Sequence, residues 1–180
     1  MANYHGDFIW YELMTPNPDG ARDFYQKIVG WEIEAAPSGP IDYRMISSAE
    51  GAVAGVMPLT DEMLAHGARP AWLGYVNVDD VDAMATSITD GGGAIHMPPW
   101  DIAGIGRMAM VADPQGAAFY IMKPTPPADA PDATSLSFSY DKPRIGHCAW
   151  NELSSDDPAA ALDFYGPRFG WVEDGEVGTG

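Results

Sequence analysis

Cysteine is nearly missing from these 180 residues, with Cys148 standing alone. An internal disulfide is therefore impossible, and so is a zinc site built on cysteine pairs. Basic side chains are also scarce: 9 Lys and Arg face 26 Asp and Glu, for a formal charge of -17. Such a balance repels phosphate backbones and anionic bilayers, which argues against a nucleic-acid partner or a membrane-surface role. No apolar run approaches the roughly 18 residues of a membrane span. The first eight residues hold neither the basic nor the apolar stretch of a secretory leader. The expectation is a soluble, cytoplasmic protein. Several enzyme signatures are missing too. There is no GxSxG, no Cys–His pair near a strand end, and no glycine loop opening a helix, since Gly91-Gly92-Gly93 follows one.

What is present is ample core material, with 46% hydrophobic residues. Residues 8–14 (FIWYELM) read as a strand rich in aromatic and β-branched side chains. Asn17-Pro18 then offers a helix cap and a proline suited to the first helical position. Ala21, Phe24, Tyr25, Ile28 and Val29 follow at helical spacing, so one apolar face is expected to pack inward, and Gly30 is the expected stop. Short strands are expected over 31–35, 43–47 and 53–59. The same order then recurs. A strand over 71–78 precedes a helix capped by Asp79 or Asp80, whose apolar face is Val81, Met84, Ala85 and Ile88. Strands over 94–97, 107–112 and 117–122 complete it, with Asp113-Pro114-Gln115-Gly116 as the turn between the last two. Two βαβββ units thus occupy about 6–60 and 70–123, within a first domain of residues 1–123.

Residues 124–144, rich in Pro, Ala and Asp, read as an extended linker. Beyond it the opening segment returns at an offset of 140 without a gap. Trp10, Glu12, Leu13, Pro18, Ala21, Asp23, Phe24, Tyr25, Gly30 and Trp31 meet Trp150, Glu152, Leu153, Pro158, Ala161, Asp163, Phe164, Tyr165, Gly170 and Trp171. Ten identities in 22 positions are far more than composition supplies, so this is a duplication. Residues 145–180 are expected to hold a strand, a helix and another strand, the start of a second domain. A longer form of about 260 residues would complete the copy. Leu153, Ala161, Phe164, Tyr165 and Trp171 need cover, so the segment is either disordered, docked on the first domain or paired with a second chain; docking or pairing is favoured, and a homodimer through this segment is one expectation.

The pattern WxEL…FYxxxxGW, the turn DPQGAAF at 113–119 and the run PPWDI…G…GR at 98–107 resemble the vicinal oxygen chelate superfamily of glyoxalase, bleomycin-resistance and dioxygenase proteins. The run at 98–107 is similar to that of its two-domain "hydroxylase-like" subgroup. The resemblance implies an α+β fold in which paired βαβββ modules form a curved, bowl-shaped mixed sheet with helices outside. It also implies a small-molecule site on the concave face. Strand alternation puts Phe8, Trp10, Glu12 and Met14 on one face of the first strand, and the family register turns that face to the bowl.

Metal-using members carry His or Gln early in the first strand of a module and Glu late in its last strand. Carried over, those positions fall on Trp10 and Leu73, on Tyr120 and Gly55 or Val56, and on Trp150 in the partial copy. None is an ordinary metal ligand, so no cofactor is expected, although a divalent metal stays open if the register differs. The expected ligand-binding set is Trp10, Glu12, Tyr75, His96, Trp100, Arg107 and Tyr120. Glu12 is either a general base or cation binder, or a structural acceptor for backbone or Arg107. Arg107 either binds a ligand carboxylate or closes an edge salt bridge. His96 is a strand residue that either faces the bowl or is structural. The aromatics suit a flat or apolar ligand. The functions in view are binding without turnover, a glyoxalase-like lyase or isomerase, a dioxygenase or hydroxylase, and a structural protein with a vestigial bowl.

Overall fold

The computed structural model describes residues 3–37 and 41–175. Its elements run β1 Phe8–Thr15, α1 Pro18–Ile28, β2 Glu32–Ile33, β3 Arg44–Ser48, β4 Gly51–Pro58, α2 Asp61–Ala65, β5 Ala71–Asn77, α3 Val81–Asp90, β6 Ala94–Ile102, β7 Gly106–Ala112, β8 Ala118–Pro124 and α4 Pro158–Phe169. The fold is mixed α+β and follows the expected succession of two βαβββ modules, with the short α2 between them. Helix α2 has no counterpart in the sequence reading. Thr60 caps it, its hydroxyl accepting from the Met63 amide at 3.2 Å. Among the described residues no helix is long and apolar enough to cross a membrane.

The chain divides into two compact units. One holds Asn3, Phe8–Tyr75 and Asp132–Glu152; the other holds Tyr4–Asp7, Val76–Pro131 and the stretch from Leu153 onward.

In the first unit the strand order is β2-β3-β4-β1-β5. β1 runs parallel to β4, and β3 is antiparallel to both β2 and β4. Alternation then sorts the side chains. Tyr11, Leu13, Ile33, Ile46, Ala54 and Val56 form the core, against which Ala21, Tyr25 and Trp31 pack. Each such aliphatic burial is worth about 1.5–3 kcal/mol. Trp10 and Glu12 alternate to the opposite face. Phe8 departs from the expected alternation. Its ring stacks on Tyr11 at 6.1 Å and meets Phe138 at 5.9 Å, on the core side. Gly74 makes room for it, since a Cβ there would collide with the Phe8 ring.

Helix α1 also corrects an expectation. Asn17 caps it as anticipated, accepting from the Gly20 amide at 2.9 Å, yet none of its residues is buried. Phe24 is 56% and Ile28 66% exposed. The helix faces the sheet through Ala21 and Tyr25. Phe24 lies about 80° and Ile28 about 40° round from the middle of that line, on the same side, and both look outward.

In the second unit β6, β7 and β8 form an antiparallel ladder. Strand β6 runs five residues past its expected end at Met97, through Pro98-Pro99. Register shifts on either side of Met97 and its edge position let it carry two residues without N–H groups. Val81, Met84, Ala85 and Ile88 of α3 are buried as their spacing predicts. Helix α4 buries Ala161, Phe164 and Phe169.

The stretch expected as a free linker is partly built into the first unit. Ser137 is buried, Phe138 packs on the core, and the Ser135 amide bonds Asn3 Oδ1 at 2.9 Å. The strand expected at the start of the repeated segment does not form. Only an isolated bridge joins Phe138 and Cys148, and residues 149–155 have no ladder. Side-chain bonds hold this stretch instead, including Tyr11 Oη to Asn151 Oδ1 at 2.9 Å. Residues 171–174 form no strand either. The helix of the copy does form and is covered by this chain itself, which is one of the two covers anticipated for the segment.

Candidate functional site

Glu12 sits mid-strand in β1, 2% exposed, beside Gly55 of β4. The Tyr75 hydroxyl donates to its Oε2 at 3.0 Å. Tyr43, just before β3, folds its ring over Gly55; any Cβ at that position would overlap the phenol. The Tyr43 hydroxyl accepts from Trp10 Nε1 at 2.8 Å. Burial pushes the Tyr43 phenol well above the ordinary tyrosine value, and the nearby Glu12 charge adds to that, against a smaller opposing effect of the Trp10 bond. Trp10, Glu12, Tyr43 and Tyr75 thus form one connected constellation within the first unit. It joins a buried carboxylate to phenol O–H groups and an indole wall. Such a site can accept a proton or a hydrogen bond from a ligand and can stack a flat ring.

Tyr43 was absent from the sequence-derived set. The signal that could have found it is Gly55, a glycine in mid-strand directly opposite the only acidic residue of β1, which marks the close approach of another group. Glu12 is tied to Tyr75 rather than to Arg107, the partner weighed for it.

Arg107 takes the second of its two alternatives. Its Nε and Nη2 donate to both carboxylate oxygens of Asp82 on α3, at 2.7 and 2.8 Å, and Nη1 donates to Asp101 at 2.9 Å. The guanidinium is pushed upward by the Asp82 bonds first, and Asp82 is held below the usual carboxylate range by the same pair. Strand alternation turns Arg107 to the helix side of β7, so it closes the edge salt bridge instead of waiting for a ligand.

On the other face of this ladder, Trp100 lies opposite Met108 and Tyr120 opposite Met110. The Trp100 and Tyr120 rings meet edge to face at 6.4 Å. With Met122 beside Met108 in the ladder, this is a soft, polarisable apolar patch. His96 falls between two residues where the register shifts and is exposed.

The positions carried over from the resemblance hold Trp10, Leu73, Tyr120 and Gly55 or Val56, whose side chains are not ordinary donors for a divalent metal. Among the described residues no group of three or more His, Cys, Asp or Glu side chains is placed to hold one. Buried Arg44 is a second charged group that the sequence reading missed. It bonds Asp42 through Nε and Nη2 and Asp19 through Nη1 at 2.7 Å, on the helix side of the sheet.

The family model for the glyoxalase/bleomycin resistance protein/dioxygenase superfamily matches residues 8–121, and this chain belongs to that superfamily. It is 34% identical over 158 residues to a Mycobacterium tuberculosis protein carrying the name glyoxylase CFP32, covering 87% of this chain and 57% of that one. It is 31% identical over 175 residues to the anthracycline biosynthesis protein DnrV of Streptomyces peucetius, covering 89% of this chain and 59% of the relative. The chain therefore spans less than two thirds of the length of these relatives. A Streptomyces coelicolor methylmalonyl-CoA epimerase superposes with a TM-score of 0.47 at 17% identity, over 67% of this chain and 95% of that one.

Proposed function

We propose that this chain binds a small, flat, largely aromatic molecule at the Trp10–Glu12–Tyr43–Tyr75 constellation, without a metal at the positions its superfamily uses. The observation that carries this reading is the buried Glu12 carboxylate, hydrogen-bonded by Tyr75 and walled by Trp10 and Tyr43. A carboxylate in such a place favours a ligand that brings a hydrogen-bond donor or a positive charge on an apolar ring. The Trp100–Tyr120–methionine patch of the second unit is suited to the same kind of molecule. The name of DnrV points the same way, because anthracyclines are flat, fused-ring compounds. The acidic chain leaves nucleic acid as a poor partner.

The test is titration of a panel of planar aromatics, amino-substituted and neutral, followed by tryptophan fluorescence. Micromolar binding of at least one amino-substituted compound is expected, weakened about tenfold or more by Trp10→Ala and by Glu12→Gln, the order of one lost charged hydrogen bond. Binding that is indifferent to both substitutions sinks the assignment.

A second reading is favoured by the name of the mycobacterial relative. In it the chain is a glyoxalase-like lyase or isomerase, or a dioxygenase or hydroxylase, with Glu12 as its general base. Turnover of an aldehyde–thiol adduct or an aromatic substrate, abolished by Glu12→Gln while binding persists, would favour it.

A further inference from the structure

We propose that the outward face of α1, made by Phe24 and Ile28, is a docking surface for a helix of the α3 kind supplied by a second domain of this fold on the same chain.

Two independent observations carry this. The first is what the duplicate helix does with the same face. At the offset of 140, Phe24 and Ile28 correspond to Phe164 and Arg168. In α4 that face packs on α3. Phe164 is only 5% exposed, and the Arg168 guanidinium lies 4.3 Å over its ring. Arg168 also donates to the Ser87 carbonyl through Nε and Nη2, at 3.1 and 3.0 Å, filling the space that a Cβ on Gly91 would need. Nothing described covers the same positions on α1.

The second observation is reciprocity. Trp31 Nε1 donates to the Gly146 carbonyl at 2.7 Å, and Trp171 Nε1 donates to the Gly6 carbonyl at 2.9 Å. Trp31 and Trp171 are the same position of the repeat, and so are Gly6 and Gly146. Tyr11 bonds Asn151, which is its own counterpart. Within each unit, then, the contact that one copy of the repeat makes to the other is made in return at the equivalent positions. Exchanging the two copies gives the packing of α4 on α3 a mate. Helix α1 packs on the helix that stands 140 positions after α3.

A second copy of the present chain does not supply that helix while its own α4 covers its own α3. A second complete domain does. The relatives have length for one, since this chain spans 57% and 59% of theirs.

The experiment completes the repeat with the chain's own sequence. Residues 41–123 are appended after Gly180, which lies opposite Pro40 in the repeat, so that the α3 sequence recurs in place. A thiol probe is set by Ile28→Cys, with Gln26→Cys as a control on the open side, both in a Cys148→Ser background. Labelling at position 28 is expected to slow about tenfold or more in the extended chain relative to the 180-residue chain, and to recover with Phe24→Asp, while position 26 stays fast in both. Equal labelling at position 28 in the two chains, with the added residues folded, overturns the proposal. So does slow labelling already in the 180-residue chain together with a doubled mass, which would give the face to a second copy.

If the added residues do not fold, the 180-residue chain carrying Phe164→Asp and Arg168→Asp serves as the probe, because its α3 is then bare. It should associate with the unmodified chain in sedimentation and lose that association with Phe24→Asp on the unmodified partner. No association overturns the proposal.

Discussion

Helices α1 and α4 carry one motif and meet two fates. Both start on a side-chain cap and a proline, both place Phe-Tyr in the middle, and both end before a glycine and a tryptophan. Both stack the tyrosine against the tryptophan, with Tyr25 and Trp31 at 5.4 Å and Tyr165 and Trp171 at 5.7 Å. The phenylalanines differ. Phe164 is enclosed and Phe24 looks outward. What is identical in the two is local, made within one helix and its next few residues. What differs is set by a neighbour far away in the sequence, which α4 has in α3.

The sharpest way to break the comparison is to truncate the two phenylalanines. Phe164→Ala is expected to cost about 3–5 kcal/mol in urea unfolding, as for a buried aromatic, and Phe24→Ala less than about 1 kcal/mol. Equal costs would mean that Phe24 is covered in solution.

A middle-sized effect concerns Tyr165, whose hydroxyl donates to Asp113 Oδ2 at 3.0 Å. Burial first, and then the Asp113 charge, push this phenol well above the ordinary tyrosine value. A raised folded-state pKa favours the protonated fold, so the stabilisation is whole below about pH 10 and is lost as pH climbs beyond it. Tyr165→Phe should cost about 1–2 kcal/mol at neutral pH and flatten part of this alkaline loss. Tyr11 and Tyr43 are raised too, so the rest of the loss should remain. An unchanged alkaline limb in stability against pH would refute the role of Tyr165.

The smallest effect sharpens the local half of the comparison. Asn17→Ala and Asp157→Ala remove equivalent caps, which accept from Gly20 and Ala160 amides at 2.9 and 3.0 Å. Each should cost about 1 kcal/mol, and the two should agree within about 0.5 kcal/mol despite their different surroundings. A cap effect that scaled with helix burial would show that even this feature is not local.

Much of the site was legible because β1 alternates. Trp10 and Glu12 could be placed on one face from their spacing alone, and the chain was expected to bring Tyr75 near them. Tyr43 was not legible, since it lies in an irregular stretch before β3 and reaches the site only by leaning over Gly55. Arg107 was legible only as two alternatives, a ligand group or an edge salt bridge. Its place beside a glycine turn suggested a ligand group, but only the packing of α3 on the ladder reveals that Asp82 holds it.

The sequence by itself determined the module order, the caps, the helix stops and the duplication, because each is written in residues a few positions apart or in a direct repeat. It also determined which side chains share a strand face, because the strand period is two. Only the tertiary structure decided which repeated helix is enclosed, that the copied strand stays unpaired, and which carboxylate each arginine meets. Those outcomes depend on edges and faces brought together from residues 25 to 165 positions apart, such as Arg107 and Asp82 or Trp171 and Gly6, and no local pattern encodes such meetings.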